Sequence, residues 1–299
     1  MNSIVDFHQF SISNYQQIET RFEQEFGVMW SIMKAEPRPC YNVTCLDELL
    51  QHQSYVHSSE GKIVVNGKMQ QVNYFVLSSA TDGVFCLGGD LSLFKQLILA
   101  KDREHLVSYG RLCIDNLWLF YNAQSPITTI SLVQGQAMGG GLESALSAHV
   151  LIAEKSAMMG FPEVLFNLFP GMGALSHLAR KVGMPLAEKM VKSGKIYTGE
   201  ELYQMGVVDV LAEDGMGEYT LNNWIKKNHR SLNSFQAINK AKQRVNPLTL
   251  VELYDIVDIW ADAALHLNDR DLKVMERLVR AQNSKVSADV TPMIERQTA

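Results

Sequence analysis

The sequence lacks a charge excess, a cysteine framework and a long apolar run, and each absence removes a class of function. Lys and Arg number 27 against 32 Asp and Glu, a formal net charge of −5, and no dense basic stripe occurs, so nothing draws the chain to nucleic acid. The four cysteines, Cys40, Cys45, Cys86 and Cys113, form no CxxC pair and have no histidine-rich neighbourhood, which leaves zinc and dithiol chemistry without ligands at usable spacing. Buried free thiols in a reducing cytosol are the expectation, and no metal. Residues 1–10 carry neither a cationic n-region nor an apolar run, and no later segment approaches the ~20 apolar residues that span a bilayer. A cytoplasmic protein without a membrane partner follows as the expectation. There is no GxSxG elbow, no GxxxxGKS/T phosphate loop and no HExxH, so the common serine-hydrolase, P-loop and zincin routes lack their parts. Nor is there a repeat of fixed period or a linker rich in Pro, Ser or Gly.

What is present is ordinary for a globular chain: 299 residues, 46% apolar and 20% charged, enough for one large domain or a domain with an appendage. Alternation over Ile18–Phe22 and an apolar stretch after Gly27 predict a strand pair. Residues 63–65 and 72–78 predict two more strands around an Asn66-Gly67 turn. Leu106, Gly110, Cys113, Leu117 and Phe120 recur at three- and four-residue steps, the pattern of an amphipathic helix of about six turns that Pro126 ends. Strand-like runs at 127–133 and 149–153 then alternate with helices near 140, over 174–182 and over 185–193, and Thr198-Gly199-Glu200-Glu201 reads as a capping box. Beyond about residue 216 only helices are expected, with Thr249 capping a long one that carries Trp260. The fold class this implies is α/β with a helical carboxy-terminal region.

Two glycine turns stand out. Gly139-Gly140-Gly141 follows a strand and opens a helix whose first N–H groups point outward, and Leu87-Gly88-Gly89-Asp90 also follows a strand. Bare amides from two such turns, converging on one carbonyl oxygen, would hold an enolate or a tetrahedral oxyanion. Glu143 lies in the first turn of the triple-glycine helix, and Glu163 sits in Gly160-Phe161-Pro162-Glu163 among apolar neighbours. Desolvation raises such carboxyls toward neutral pH, as a general acid or base requires. Met138 and Met172 adjoin the glycine turns, and Trp260 and Leu278 lie on the carboxy-terminal helices; these four are candidates for an apolar acyl tunnel. His149 and His177 read as structural.

The ordered set FxLGGDL, GxxxGGGLE, GFPE and Leu168-Phe169-Pro170-Gly171-Met172-Gly173 resembles the crotonase (enoyl-CoA hydratase/isomerase) superfamily over about residues 15–215. The resemblance implies a crotonase-type ββα spiral core with a short amino-terminal arm over 1–215, and a helical region over 216–299 serving trimerisation and the acyl pocket. It also implies an oxyanion hole from the amides of Gly89 and Gly140, and it puts Glu143 and Glu163 on the two acid positions of the hydratases. Which acts as acid is left open, with Glu163 favoured as base and Glu143 as acid in dehydration. Leu87, Gly88, Met138, Gly139, Met172, Trp260 and Leu278 are the expected substrate-binding residues. No cofactor is implied beyond the acyl carrier, acyl carrier protein or coenzyme A.

Within that superfamily, Tyr74-Phe75-Val76-Leu77, the segment from Phe85 to Phe94, and Asp102-Arg103 are most similar to the diffusible signal factor synthases, as is the extra length near 50–72. That closer likeness implies dehydration of a 3-hydroxyacyl carrier-protein thioester and hydrolysis to a free cis-2-unsaturated fatty acid used in quorum sensing. It also implies a sensor-kinase receiver domain as a partner, while the superfamily likeness implies a homotrimer or a dimer of trimers. The alternative is a plain enoyl-CoA hydratase of fatty acid degradation.

Overall fold

The computed structural model describes residues 15–123 and 127–288, with side chains as far as residue 280. Ile18–Glu23 (β1) and Val28–Met33 (β2) form the expected antiparallel pair. Helix Val43–Ser58 (α1) follows, capped by Asn42, whose side chain accepts from Cys45 N at 2.9 Å. Sequence reading treated part of this stretch as an insertion. Its buried stripe, Leu46, Leu49, Gln53 and Val56, has helical spacing and packs on the core.

Lys62–Val65 (β3) and Lys68–Gln71 (β4) make a separate two-stranded hairpin. This corrects the pairing of 63–65 with 72–78. Asn66 and Gly67 both take positive φ, 51° and 74°, the geometry of a two-residue hairpin loop, so the partner strand must begin at Lys68. The apolar run beyond it belongs to Tyr74–Ser79 (β5), which is parallel to β2 in a large sheet.

From β5 onward the chain repeats one operation: a strand in the large sheet, a strand in a small sheet, then helix. Val84–Cys86 (β6) leads to Leu91–Ala100 (α2) and Arg103–Tyr121 (α3). Thr128–Val133 (β7) and Gln136–Met138 (β8) lead to Gly140–Leu146 (α4). Val150–Glu154 (β9) and Met158–Gly160 (β10) lead through a 3-10 turn, Pro162–Phe166, to Ala174–Val182 (α5) and Met184–Ser193 (α6). Ile196–Thr198 (β11), Gly199–Gln204 (α7) and Val210–Ala212 (β12) complete the sheets, and both limbs of the capping box at Thr198 and Glu201 are present. The large sheet has the order β1-β2-β5-β7-β9-β12 and the small one β11-β10-β8-β6. Because β6, β8 and β10 are neighbours and parallel, their carboxyl ends lie side by side.

Strands β7 and β9 are buried along their whole length, as parallel strands covered on both faces must be. Trp30, Tyr74, Val76, Ile130, Leu132 and Ile152 face Leu221 and Ile225 of Gly217–Asn228 (α8). The alternate residues Met29, Phe75, Leu151 and Ala153 face the larger core. Leu232–Val245 (α9) buries no residue, whereas Leu250–Ala264 (α10) buries Leu253, Val257 and Trp260, and Asp269–Ala288 (α11) packs on α2. The α/β class and the carboxy-terminal helices therefore match expectation. Helix α3 has 19 residues, slightly over five turns, and stops at Tyr121. The amino-terminal arm ahead of residue 15 and the stop assigned to Pro126 lie outside the described residues. Among the described residues no helix is long and apolar enough to cross a membrane.

Candidate active site

Each of the three adjacent parallel strands delivers one part of the site. Beyond β6 come Gly88 and Gly89, beyond β8 come Gly139 and Gly140, and beyond β10 comes Glu163. Gly88 (φ 92°) and Gly139 (φ 52°) occupy left-handed backbone space that a side chain would strain, and a Cβ on Gly88 would lie 2.7 Å from Met138 O. A Cβ on Gly140 would lie 3.5 Å from Gly89 N, so the two glycine turns abut. Gly140 N is the first amide of α4 and has no intrahelical acceptor. Neither it nor Gly89 N donates to a backbone carbonyl among the described residues.

The Gly88-Gly89 turn is held from behind. Tyr41 N donates to Gly88 O at 2.8 Å, Tyr109 Oη donates to Tyr41 O, and Asp90 N donates to Tyr109 Oη at 3.2 Å. Asp90 caps α2 through Ser92 N at 3.0 Å and pairs with Arg38 at 2.8 Å. Sequence reading missed this scaffold; its legible trace was an Asp at an N-cap position directly after two glycines.

Glu143 is 1% exposed, and its Oε1 accepts from Met172 N at 2.8 Å and Ala174 N at 3.0 Å, while Oε2 has no partner among the described residues. Two N–H donors favour the carboxylate, but desolvation outweighs them and pushes the group from 4.5 up to about 7. Glu163 keeps part of its surface open, yet its Oε2 is buried without a partner. Burial first, and the Glu143 charge second, push it up to about 8. Near neutral pH the pair therefore shares one proton. Glu163 is seated by Gly139, where a Cβ would come within 2.1 Å of its Oε1.

Both carboxyls open into one cavity of about 300 Å³. Leu87, Gly88, Gly89, Met138, Gly139, Gly140, Met172, Trp260 and Leu278, all selected from sequence, line it as well. Trp260 is fixed edge-on to Phe94, ring centroids 5.1 Å apart, and Gly171 leaves it room, since a Cβ there would fall 2.3 Å from its Cγ. The wall from Leu46, Leu49 and Gln53 of α1 and Cys113, Leu117 and Phe120 of α3 was not anticipated. His149 and His177 lie outside this lining, and burial pushes both down to about 4. All four cysteines are buried and free. Two amides without a backbone acceptor, in one largely apolar cavity with two carboxyls that share a proton, can polarise a carbonyl and move protons at the carbons next to it.

Methylglutaconyl-CoA hydratase, mitochondrial, of Rattus norvegicus is 31% identical over 144 residues, 48% of this chain and 44% of that protein, so the chain spans less than half of that relative's length. Among solved structures, human mitochondrial delta3-delta2-enoyl-CoA isomerase aligns with a TM-score of 0.73 at 18% identity, over 90% of this chain and 99% of that one. Pseudomonas aeruginosa DspI aligns with a TM-score of 0.65 at 21% identity, over 79% of this chain and 86% of that one. Identities this low speak for a shared fold alone. The sequence model described as Enoyl-CoA hydratase/isomerase matches residues 65–256, well over half of the protein, and the chain belongs to that family.

Proposed function

We propose that the protein dehydrates a 3-hydroxyacyl thioester and then hydrolyses the cis-2-enoyl thioester, releasing a free fatty acid that serves as a quorum-sensing signal. The observation that carries the first half is the meeting of Glu143 and Glu163, both raised toward neutral pH, in one cavity with the Gly89 and Gly140 amides. The thioester oxygen, held by those amides, takes up the charge of the enolate as the α-proton leaves. Glu163 accepts that proton, and Glu143 gives its own to the departing β-hydroxyl, which leaves as water. The reaction ends with the proton on Glu163 and the charge on Glu143, the order that their hydrogen bonding favours at rest.

Hydrolysis reuses the same amides. Water activated by a glutamate adds to the thioester carbon, the tetrahedral oxyanion sits where the enolate oxygen sat, and the carrier thiol leaves with a proton. No nucleophilic side chain is needed. This half rests on the sequence likeness around residues 74–94, as do acyl carrier protein as donor and a receiver domain as partner; a homotrimer as assembly rests on the likeness to the crotonase superfamily.

The names of the hydratase relatives favour a second reading, an enoyl-CoA hydratase. There Glu143 activates the water and Glu163 protonates the α-carbon. Purified protein given matched 3-hydroxyacyl thioesters on carrier protein and on coenzyme A separates the two. Mass spectrometry is expected to find free cis-2-enoic acid. Water exchange without release of acid would leave the hydratase, and neither would remove both.

A further inference from the structure

One wall of the cavity is not what an apolar acyl pocket requires. There α1 and α3 pack together, and beside Leu46, Leu49, Leu117 and Phe120 the lining includes two amides, Gln53 and Asn116, 3% and 5% exposed. Asn116 Nδ2 donates to Leu46 O at 3.1 Å and to Leu112 O at 2.9 Å, which fixes the orientation of its amide. Its Oδ1 therefore faces Gln53 and accepts from Nε2 at 3.3 Å. That leaves Gln53 Oε1 as an oriented acceptor, buried and without a partner among the described residues. Gln53 sits on the apolar stripe of α1, where leucine or valine would pack without this cost.

We propose that Gln53 Oε1 is a recognition site for a hydrogen-bond donor on the far part of the acyl chain, and that the substrates include acyl thioesters bearing a hydroxyl remote from the thioester. The inference deepens the reading of the cavity as an acyl-thioester site and rests on it. Gln53 lies seven residues beyond Leu46, about 10 Å along α1, and Tyr41 at the start of that segment touches the Gly88 turn. The glycine turns and the two amides line the same cavity of about 300 Å³, so a medium-length chain laid from the glycine turns would bring its end to the amides. A methyl terminus there would bury the acceptor unpaired, whereas a hydroxyl satisfies it. An acceptor built to bind a hydroxyl discriminates against the analogue that lacks it.

The test is equilibrium binding of saturated S-acyl pantetheines, which carry the arm that coenzyme A and acyl carrier protein share. A series of rising chain length is titrated calorimetrically in matched pairs, with and without a terminal hydroxyl. At the length that reaches Gln53 the hydroxylated member is expected to bind on the order of tenfold more tightly, and Gln53→Met to abolish that preference while S-butyryl pantetheine binds unchanged. Equal or weaker binding of the hydroxylated member at every length in the parent protein would overturn the proposal, as would a preference that survives Gln53→Met. The parent comparison stands even if the variant fails to fold. Turnover is not read, so failure of the dehydratase reading leaves the result interpretable, and no binding by any acyl pantetheine would remove the acyl site and this inference together.

Discussion

Replacing Glu143 with glutamine is expected to make the protein more stable and far less active, and the two effects arise from the same burial. The carboxyl is 1% exposed and raised from 4.5 to about 7. Below pH 4.5 the group is neutral both folded and unfolded and costs nothing; the penalty builds as pH rises through 4.5 and is complete above about 7. At 1.36 kcal/mol for each pH unit between those values, ionising it in place costs the fold about 3 kcal/mol. In Glu143→Gln the amide oxygen can still accept from Met172 N and Ala174 N, but the NH₂ group replaces the unpartnered Oε2 and costs about 1–2 kcal/mol. The net gain at about pH 8 is therefore about 1–2 kcal/mol, a rise in Tm of about 2–4 °C. Lowering the pH to about 5.5 should relieve the parent of about 2 kcal/mol of that penalty and so cancel the variant's advantage. Turnover of an enoyl thioester, followed by loss of its conjugated absorbance, should fall about 10²–10⁴-fold. A variant less stable than the parent at every pH, with no change in the gap, would refute the desolvation argument; one that retains full turnover would refute the role.

Three further outcomes are expected. The kcat/KM profile should be a narrow bell with limbs near 7 and 8, because activity needs one proton on the pair; it is lost at low pH as both carboxyls protonate and at high pH as both ionise. A flat profile between pH 6 and pH 9, measured by turnover, would count against proton sharing. Gly139→Ala places a Cβ 2.1 Å from Glu163 Oε1 at φ 52°, so kcat should fall about 100-fold as Glu163 is displaced, with the limb near 8 shifted in the same assay. Tyr109→Phe removes the bonds to Tyr41 O and from Asp90 N, which should cost about 1–2 kcal/mol in denaturant unfolding and lower kcat more than it raises KM.

The parts of the site were legible because they are local. Glycine runs after strands, an acid one turn into a helix and an acid after proline are short-range signals, and each of the nine other chosen residues lines the same cavity as the two glutamates. Helix α1 was harder to see. Its apolar stripe is interrupted by His52 and Gln53, both buried, so the periodicity that should betray a core helix is diluted where it matters. The hairpin was misassigned for a related reason: Val72 and Tyr74 continue an apolar run that local pattern cannot divide between a turn's partner and a strand of another sheet.

The sequence alone determined the alternation of strands and helices, the glycine turns and the two acids, since backbone propensity and periodicity act over a few residues. Only the tertiary structure decided that these parts meet, through the parallel pairing of β6, β8 and β10, contacts made between residues far apart in the chain. It alone decided the raised pKa values of Glu143 and Glu163, because desolvation is a property of the surroundings that folding assembles and no residue carries it by itself.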